Sequence, residues 1–269
     1  MKTRIVIGLG LIASLYGLWA LDTQVLPKPI LSRVAVWLFA LGALREVIAL
    51  GSKKIDCAPG LFAYGGIAVV AIIVPSLVTG TPVAGSLIAL AAVAGAGIRF
   101  LGMSSLRSAA VAFPEALLLA GGILYTAGLL SFLDRLAIVS VSTAFAVVAI
   151  SKSSDIFAYF VGSLVGRKKI VPAISPKKTW EGTIAGVLGA AGVAALLSAE
   201  LNGPPMFSAL IGALIGAATF LGDLLASGLK RWAQAKDSSG LLPEFGGVVD
   251  MLDGVLLAAP VAIVCLHGT

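Results

Sequence analysis

Long apolar runs, each ended by a short polar stretch, repeat along the whole chain. They predict helices at about 5–21, 30–50, 60–79, 83–98, 108–131, 137–165, 182–200, 206–229 and 253–267. Most reach the roughly 17–25 residues that carry an α-helix across a bilayer, while the fourth and the last run short. The sixth is long and holds Lys152 and Asp155, so a tilt or a break is expected there. The first run follows two cations, as a secretion signal does. No small-residue cleavage site ends it and another apolar run follows at once, so it reads as a retained first helix.

Composition turns this pattern into a fold class. Of 269 residues, 59% are hydrophobic and 12% charged, with a mean hydropathy of +1.05. Soluble domains carry about 25% charged residues, and this chain has no comparable surface to offer water. The expectation is an all-α polytopic integral membrane protein with about nine transmembrane helices and a cytoplasmic N-terminus. Charge placement tests the layout. With loops numbered alternately, the inner set collects fourteen of the 19 lysines and arginines and the outer set only Lys28 and Arg135; Arg33, Arg45 and Lys152 fall within helices. Two regions follow: residues 1–132, a five-helix membrane region, and residues 133–269, a membrane region with two cytoplasmic loops at about 166–181 and 230–252. Localisation in the cell (inner) membrane with a cytoplasmic-facing site is expected.

Other residue types exclude several chemistries. Cys57 and Cys265 fall near opposite membrane faces, which disfavours a disulfide, and no CxxC or Cys/His cluster exists. The one histidine, His267, gives no basis for a zinc site or a Ser-His-Asp triad. Basic runs sit at membrane borders without interleaved aromatics, so no nucleic-acid partner is expected. Glycine and alanine in "GTIAGVLGAAGVAALL" and "ALIGALIGAATFLGD" have the small-residue spacing of close helix packing.

Polar chemistry gathers in two stretches. Lys152 to Glu181 holds Lys152, Asp155, Arg167, Lys168, Lys169, Lys177, Lys178 and Glu181; "SGLKRWAQAKDSSGLLPEFGGVVDMLD", Ser227 to Asp253, holds Lys230, Arg231, Lys236, Asp237, Glu244, Asp250 and Asp253. Cations at an inner border are what the charge bias already demands, but the carboxylates need another cause. Asp223 stands seven residues before Lys230, roughly 10 Å below that helix end. A lone carboxylate in hydrocarbon costs on the order of 3 kcal/mol, so a partner is implied, either a cation or a metal ion shared with a second carboxylate. Asp250 and Asp253, at i and i+3, share one face if the last helix starts early, and Asp155 is a further candidate. Oxygen ligands without His or Cys favour a hard ion such as Mg²⁺. Lys230, Arg231 and Lys236 suit phosphate oxygens. Gly246 and Gly247 allow close backbone approach to an anion. Ser175 and Thr179 can cap the next helix, with Glu181 in its first turn.

Together these residues resemble the phosphatidate cytidylyltransferases (CDP-diacylglycerol synthases). The family signature is matched in register by Ser227, Leu229, Lys230, Arg231, Lys236, Asp237, Ser239, Leu242, Pro243, Gly246, Gly247, Val248, Asp250, Leu252 and Asp253. Upstream, Asp155, Ala158, Tyr159, Gly162, Gly166, Ser175-Pro176 and Lys178 to Gly182 are also similar. Two positions depart: Phe245 replaces the family's histidine and Met251 its arginine. The resemblance covers about 155–253, and the first five helices match only as apolar spans. It implies transfer of a cytidylyl group from CTP to phosphatidate, giving CDP-diacylglycerol and pyrophosphate. Asp223 and Asp250 would hold Mg²⁺, with room for a second cation. Lys178, Lys230, Arg231 and Lys236 would position phosphates, and Asp237 and Asp253 would orient those cations or help the metal. Ser175, Thr179, Gly246 and Gly247 join the substrate-binding set. The partners implied are CTP, phosphatidate and membrane lipid, and a homodimer is compatible. A relative using another lipid phosphate, a polyprenol kinase and an ion-coupled transporter are the competing readings. A phosphate monoester is largely ionised near neutral pH, so loss of the histidine does not by itself remove the nucleophile.

Overall fold

In the computed structural model, residues 14, 16–26, 28–55, 57, 60–83, 85–101, 106–241 and 246–267 are described. Within them the chain is helical, with one isolated antiparallel bridge between Lys169 and Thr179. Helix α1 covers 16–24. It is followed by α2 (Leu31–Gly51), α3 (Leu61–Thr79), α4 (Gly85–Leu101), α5 (Leu106–Ile123), a π-helical turn (Leu124–Gly128), α6 (Leu129–Val139), α7 (Val141–Val165), α8 (Trp180–Leu196), α9 (Pro205–Trp232) and α10 (Val248–His267). Six helical segments among the described residues are long and apolar enough to cross a membrane. Leu38, Ile67, Val78, Leu188, Leu196 and Leu214 are exposed, as expected of side chains that meet lipid rather than water.

The helix boundaries differ most from the expected ones at the fifth segment and the last. The fifth segment does not stop near 131: α5, the π turn and α6 form one continuous rod to Val139. Asp134 and Arg135, read from the sequence as part of a loop, therefore belong to α6. A charged pair does not end the helix because Asp134 is fully buried against Arg33 of α2, with Nε to Oδ1 at 2.8 Å. The break comes at Ser140, whose extended backbone and side-chain oxygen, accepting from the Thr143 amide at 3.2 Å, cap α7. The last helix begins at Val248 rather than 253, which brings both Asp250 and Asp253 onto it. Helix α7 runs through Lys152 and Asp155 without interruption.

Helices α7, α8, α9 and α10 pack in sequential pairs, and α10 also touches α2, α6 and α7. Small residues make the seams: Gly182 and Gly186 of α8 lie against Ala158 and Ser154 of α7. Thr219 donates to Ser151 at 2.9 Å, tying α9 to α7 inside the bundle. A core of Leu44, Leu119, Ile123, Leu130, Ile150, Ile215 and Leu256 joins the N-terminal helices to α7, α9 and α10. The ends of α7, α9 and α2 and the start of α10 thus meet at one end of the bundle.

Candidate active site

The site is built on the first turn of α10. A helix start leaves amide N–H groups without intrahelical partners, and carboxylates satisfy them. Asp250 is one of two that do so here. Its Oδ2 accepts from the amides of Gly247 at 3.0 Å and Ser238 at 2.7 Å and from the Ser238 hydroxyl at 2.8 Å, while Oδ1 receives Lys230 from the end of α9. Gly246 has φ +84, a region that side chains rarely adopt. A Cβ on Gly247 would collide with Ser238 and with the Glu46 carboxylate. The glycine pair therefore does admit a close anion, and here the anion is the protein's own carboxylate.

Glu46 is the second carboxylate, and sequence reasoning missed it. It comes from the far end of α2 and is buried. Its oxygens accept from the Val248 and Val249 amides at 2.8 and 2.9 Å and from the hydroxyls of Ser238 and Ser239 at 2.7 and 2.6 Å. A residue some two hundred positions away thus caps α10 and pins the loop that precedes it. The signal was the one that singled out Asp223, a carboxylate within an apolar span. It was hidden because Glu46 follows Arg45 near a helix end.

A second polar group lies deeper, between α7, α9 and α10. Lys178 leaves the α7–α8 loop and reaches Asp223 of α9 at 2.8 Å, with its Nζ 4.7 Å from the centroid of the Phe220 ring. Lys152 pairs with Asp155 at 3.1 Å and approaches Asp253 at 4.0 Å. The Asp253 backbone lies against Gly222, next to Asp223, and Asp155, Asp223 and Asp253 lie within range of one another's charge. The partner that Asp223 required is therefore a lysine in this structure. Thr179 caps α8, accepting from the Gly182 amide at 3.2 Å. Glu181 of the first turn accepts from the Arg167 and Lys168 amides at 3.1 and 3.3 Å and closes the loop. Ser175 lies in the turn between Val171 and Lys178 and does not cap.

The expected residues thus fall into three sets. Asp250, Lys230, Gly246 and Gly247 form one cluster, and Asp223, Lys178 and Asp253 another, one helical turn along α10 from Asp250. Arg231 donates to the Ile174 carbonyl at 3.2 Å and is exposed, while Lys236 and Asp237 are exposed and make no ion pair among the described residues. Met251 sits half-buried in the first turn of α10, and Phe245 lies outside the described residues. No three His, Cys, Asp or Glu side chains converge as a ready-made metal cluster among the described residues. An apolar cavity of about 530 Å³ opens beside α9, lined among others by Val47, Leu117, Tyr125, Leu225, Leu229 and Trp232. That volume is within the range of small-molecule pockets. Leu229 and Trp232 flank Lys230 and Arg231 in sequence, so oil and charge meet at the end of α9.

The chain is similar to known proteins. Residues 2–268 match the model of the Cytidylyltransferase family. A 126-residue alignment is 40% identical to the phosphatidate cytidylyltransferase of Chlamydia trachomatis, covering 44% of this chain and 41% of that relative. The phosphatidate cytidylyltransferase of Mycobacterium tuberculosis is 43% identical over 116 residues, 42% of this chain and 35% of the relative. The chloroplastic phosphatidate cytidylyltransferase 5 of Arabidopsis thaliana is 40% identical over 120 residues, 43% of this chain and 30% of the relative. The aligned stretch spans less than half the length of these relatives.

Proposed function

The chain belongs to the Cytidylyltransferase family, and we propose that it converts CTP and phosphatidate to CDP-diacylglycerol and pyrophosphate. The observation that carries this reading is the end of α9: it joins two lysine–carboxylate pairs, Lys178–Asp223 and Lys230–Asp250, and its Leu225, Leu229 and Trp232 line an open apolar cavity. A lipid phosphate needs both environments at once. Its acyl chains would occupy the cavity and the surrounding bilayer, and its phosphate would meet CTP at the polar clusters. A phosphate oxygen of phosphatidate attacks the α-phosphorus of CTP, a P–O bond forms, and the bond to the β-phosphate oxygen breaks to release pyrophosphate. Lys178 and Lys230 hold carboxylates in the free protein, and on substrate binding each would exchange its carboxylate for a phosphate. Arg231 in the last turn of α9 and Lys236 in the loop after it, both exposed, would receive the nucleotide's outer phosphates.

The donors in the site fit a hard divalent ion in kind: Asp223, Asp250 and Asp253 are all carboxylates. Asp223 and Asp250 would hold Mg²⁺ once their lysines turn to phosphate, with Asp253 one turn along α10. Bound there, the ion would neutralise negative charge on the triphosphate and the leaving group. In this reading the chain crosses the inner cell membrane nine times with its N-terminus cytoplasmic, and residues 133–269 carry the catalytic region. The six long apolar helices, two shorter ones and the biased placement of cations support it. The test is CTP-dependent formation of CDP-diacylglycerol by the purified protein, with Mg²⁺ and with EDTA. No lipid nucleotide from phosphatidate and CTP in the presence of Mg²⁺ would sink the proposal.

A further inference from the structure

Tyr125 has no role in the scheme above, yet its position is unusual in three respects. It lies in the π-helical turn Leu124–Gly128, and such turns inserted into α-helices are frequent at functional sites. Its ring lines the apolar cavity with Leu225, Leu229 and Trp232 and packs against the buried cluster of Ala43, Val47, Ala226, Val248 and Val249. Its hydroxyl is buried without a hydrogen-bond partner among the described residues. A buried hydroxyl without a partner costs stability, so it calls for an explanation. The phenol is also close enough to Asp253 and Asp223 to feel their charge. Tyr125 therefore stands between the cavity and the first turn of α10, where Val248 and Val249 precede Asp250.

We infer that the Tyr125 hydroxyl donates a hydrogen bond to a glycerol-ester carbonyl of the lipid substrate, and so selects ester-linked over ether-linked chains. This rests on the reading of the substrate as a lipid phosphate. In such a lipid the ester carbonyls lie between the chains and the phosphate, as Tyr125 lies between the cavity and the helix start that holds Asp250. The environment suits a neutral acceptor better than a phosphate: the phenol feels the charge of two carboxylates, whereas Lys178 and Lys230 are each already paired with a carboxylate. A dialkyl ether analogue has no carbonyl and would leave the hydroxyl unpaired in the complex as well.

The experiment compares diacyl phosphatidate with its dialkyl ether analogue of equal chain length, in detergent, on the wild type and on Tyr125→Phe. The wild type is expected to favour the diacyl lipid by about tenfold in kcat/KM, one neutral hydrogen bond's worth. Tyr125→Phe is expected to lose that preference, with KM for CTP unchanged. Its thermal midpoint should be equal or higher, because the hydroxyl has no partner to lose in the free protein. Equal use of the two lipids by the wild type overturns the inference, and this arm needs no variant. A preference that survives in Tyr125→Phe, or a parallel rise in KM for CTP, overturns it too. Absence of product from either lipid would instead overturn the proposed function, so the two failures are distinguishable.

Discussion

Two ends of the same bundle bury ion pairs, and they do so differently. At one end Arg33 meets Asp134. Their side chains are 3% and 0% exposed, and every nitrogen of Arg33 donates, to Asp134, to the Ser76 carbonyl and hydroxyl, and to the Thr81 carbonyl. Nearby, Asp22 receives the Leu31 and Ser32 amides and the Ser32 hydroxyl. At the other end Lys178 meets Asp223 with 18% and 30% exposure, beside a second pair and two further carboxylates. The first arrangement is closed: both side chains are buried, and every side-chain nitrogen of Arg33 already has a protein partner. The second keeps oxygens and ammonium groups that can change partners. Burial of charge alone therefore does not mark a functional site in this protein. What separates the two ends is spare valence and a route to it.

The comparison breaks if both ends respond alike to losing a charge. Asp223→Asn and Asp250→Asn are each expected to reduce CDP-diacylglycerol formation on the order of 10³-fold while the protein still folds. Full activity in both would remove the metal assignment. At the closed end, Arg33→Met strands Asp134 in the core and should cost about 3–5 kcal/mol of stability. Adding Asp134→Leu should recover most of it, and turnover per folded molecule should stay at the wild-type value. The readouts are product formation at saturating substrate and the thermal midpoint in detergent.

How far this contrast was legible in the sequence depends on what each residue needed. The all-helical class and the apolar segments followed from hydropathy alone, because lipid permits little else. The cluster of Lys230, Asp250, Gly246 and Gly247 was legible because one motif carries all four within a short stretch. Asp223 was legible because a carboxylate in an apolar run demands a partner. That the partner is Lys178 was not, since the α7–α8 loop folds back only once Thr179 and Glu181 shape it. Tyr125 was invisible for the same reason, since its meaning comes from the π turn packing on α10, and Glu46 carried a signal that Arg45 beside it masked until α2 packs on α10. The helix end at Val139 was missed because Asp134 and Arg135 look like a loop until Arg33 is in view.

Glu46 lets the contrast be sharpened, since it is closed like Arg33 yet lies at the open end. It touches no proposed substrate, and the Ser238 hydroxyl lies within hydrogen-bond reach of both Glu46 and Asp250. Glu46→Gln keeps the shape but replaces one acceptor oxygen by a donor that faces amide and hydroxyl donors. Residues that orient a ligand from behind typically matter by about 10–100-fold, and a fall of that size in kcat is expected. A variant that loses only stability would place Glu46 with the closed end instead.

The smallest effect should come from Ser239→Ala. Ser239 donates to the Oε1 of Glu46 at 2.6 Å, and that oxygen keeps the Val248 amide when the hydroxyl is removed. Glu46 is then still held by three donors, so the first turn of α10 stays capped. A neutral donor to a charged acceptor contributes about 1.5–3 kcal/mol at most, and partial exposure at Ser239 lowers its share. A drop of a few degrees in the thermal midpoint is expected, with kcat changed far less than in Glu46→Gln. Should Ser239→Ala match Glu46→Gln in kcat, the cap would not be what Glu46 contributes. The loop's contact with α2 through Ser239 would then be the element that holds Asp250 in place.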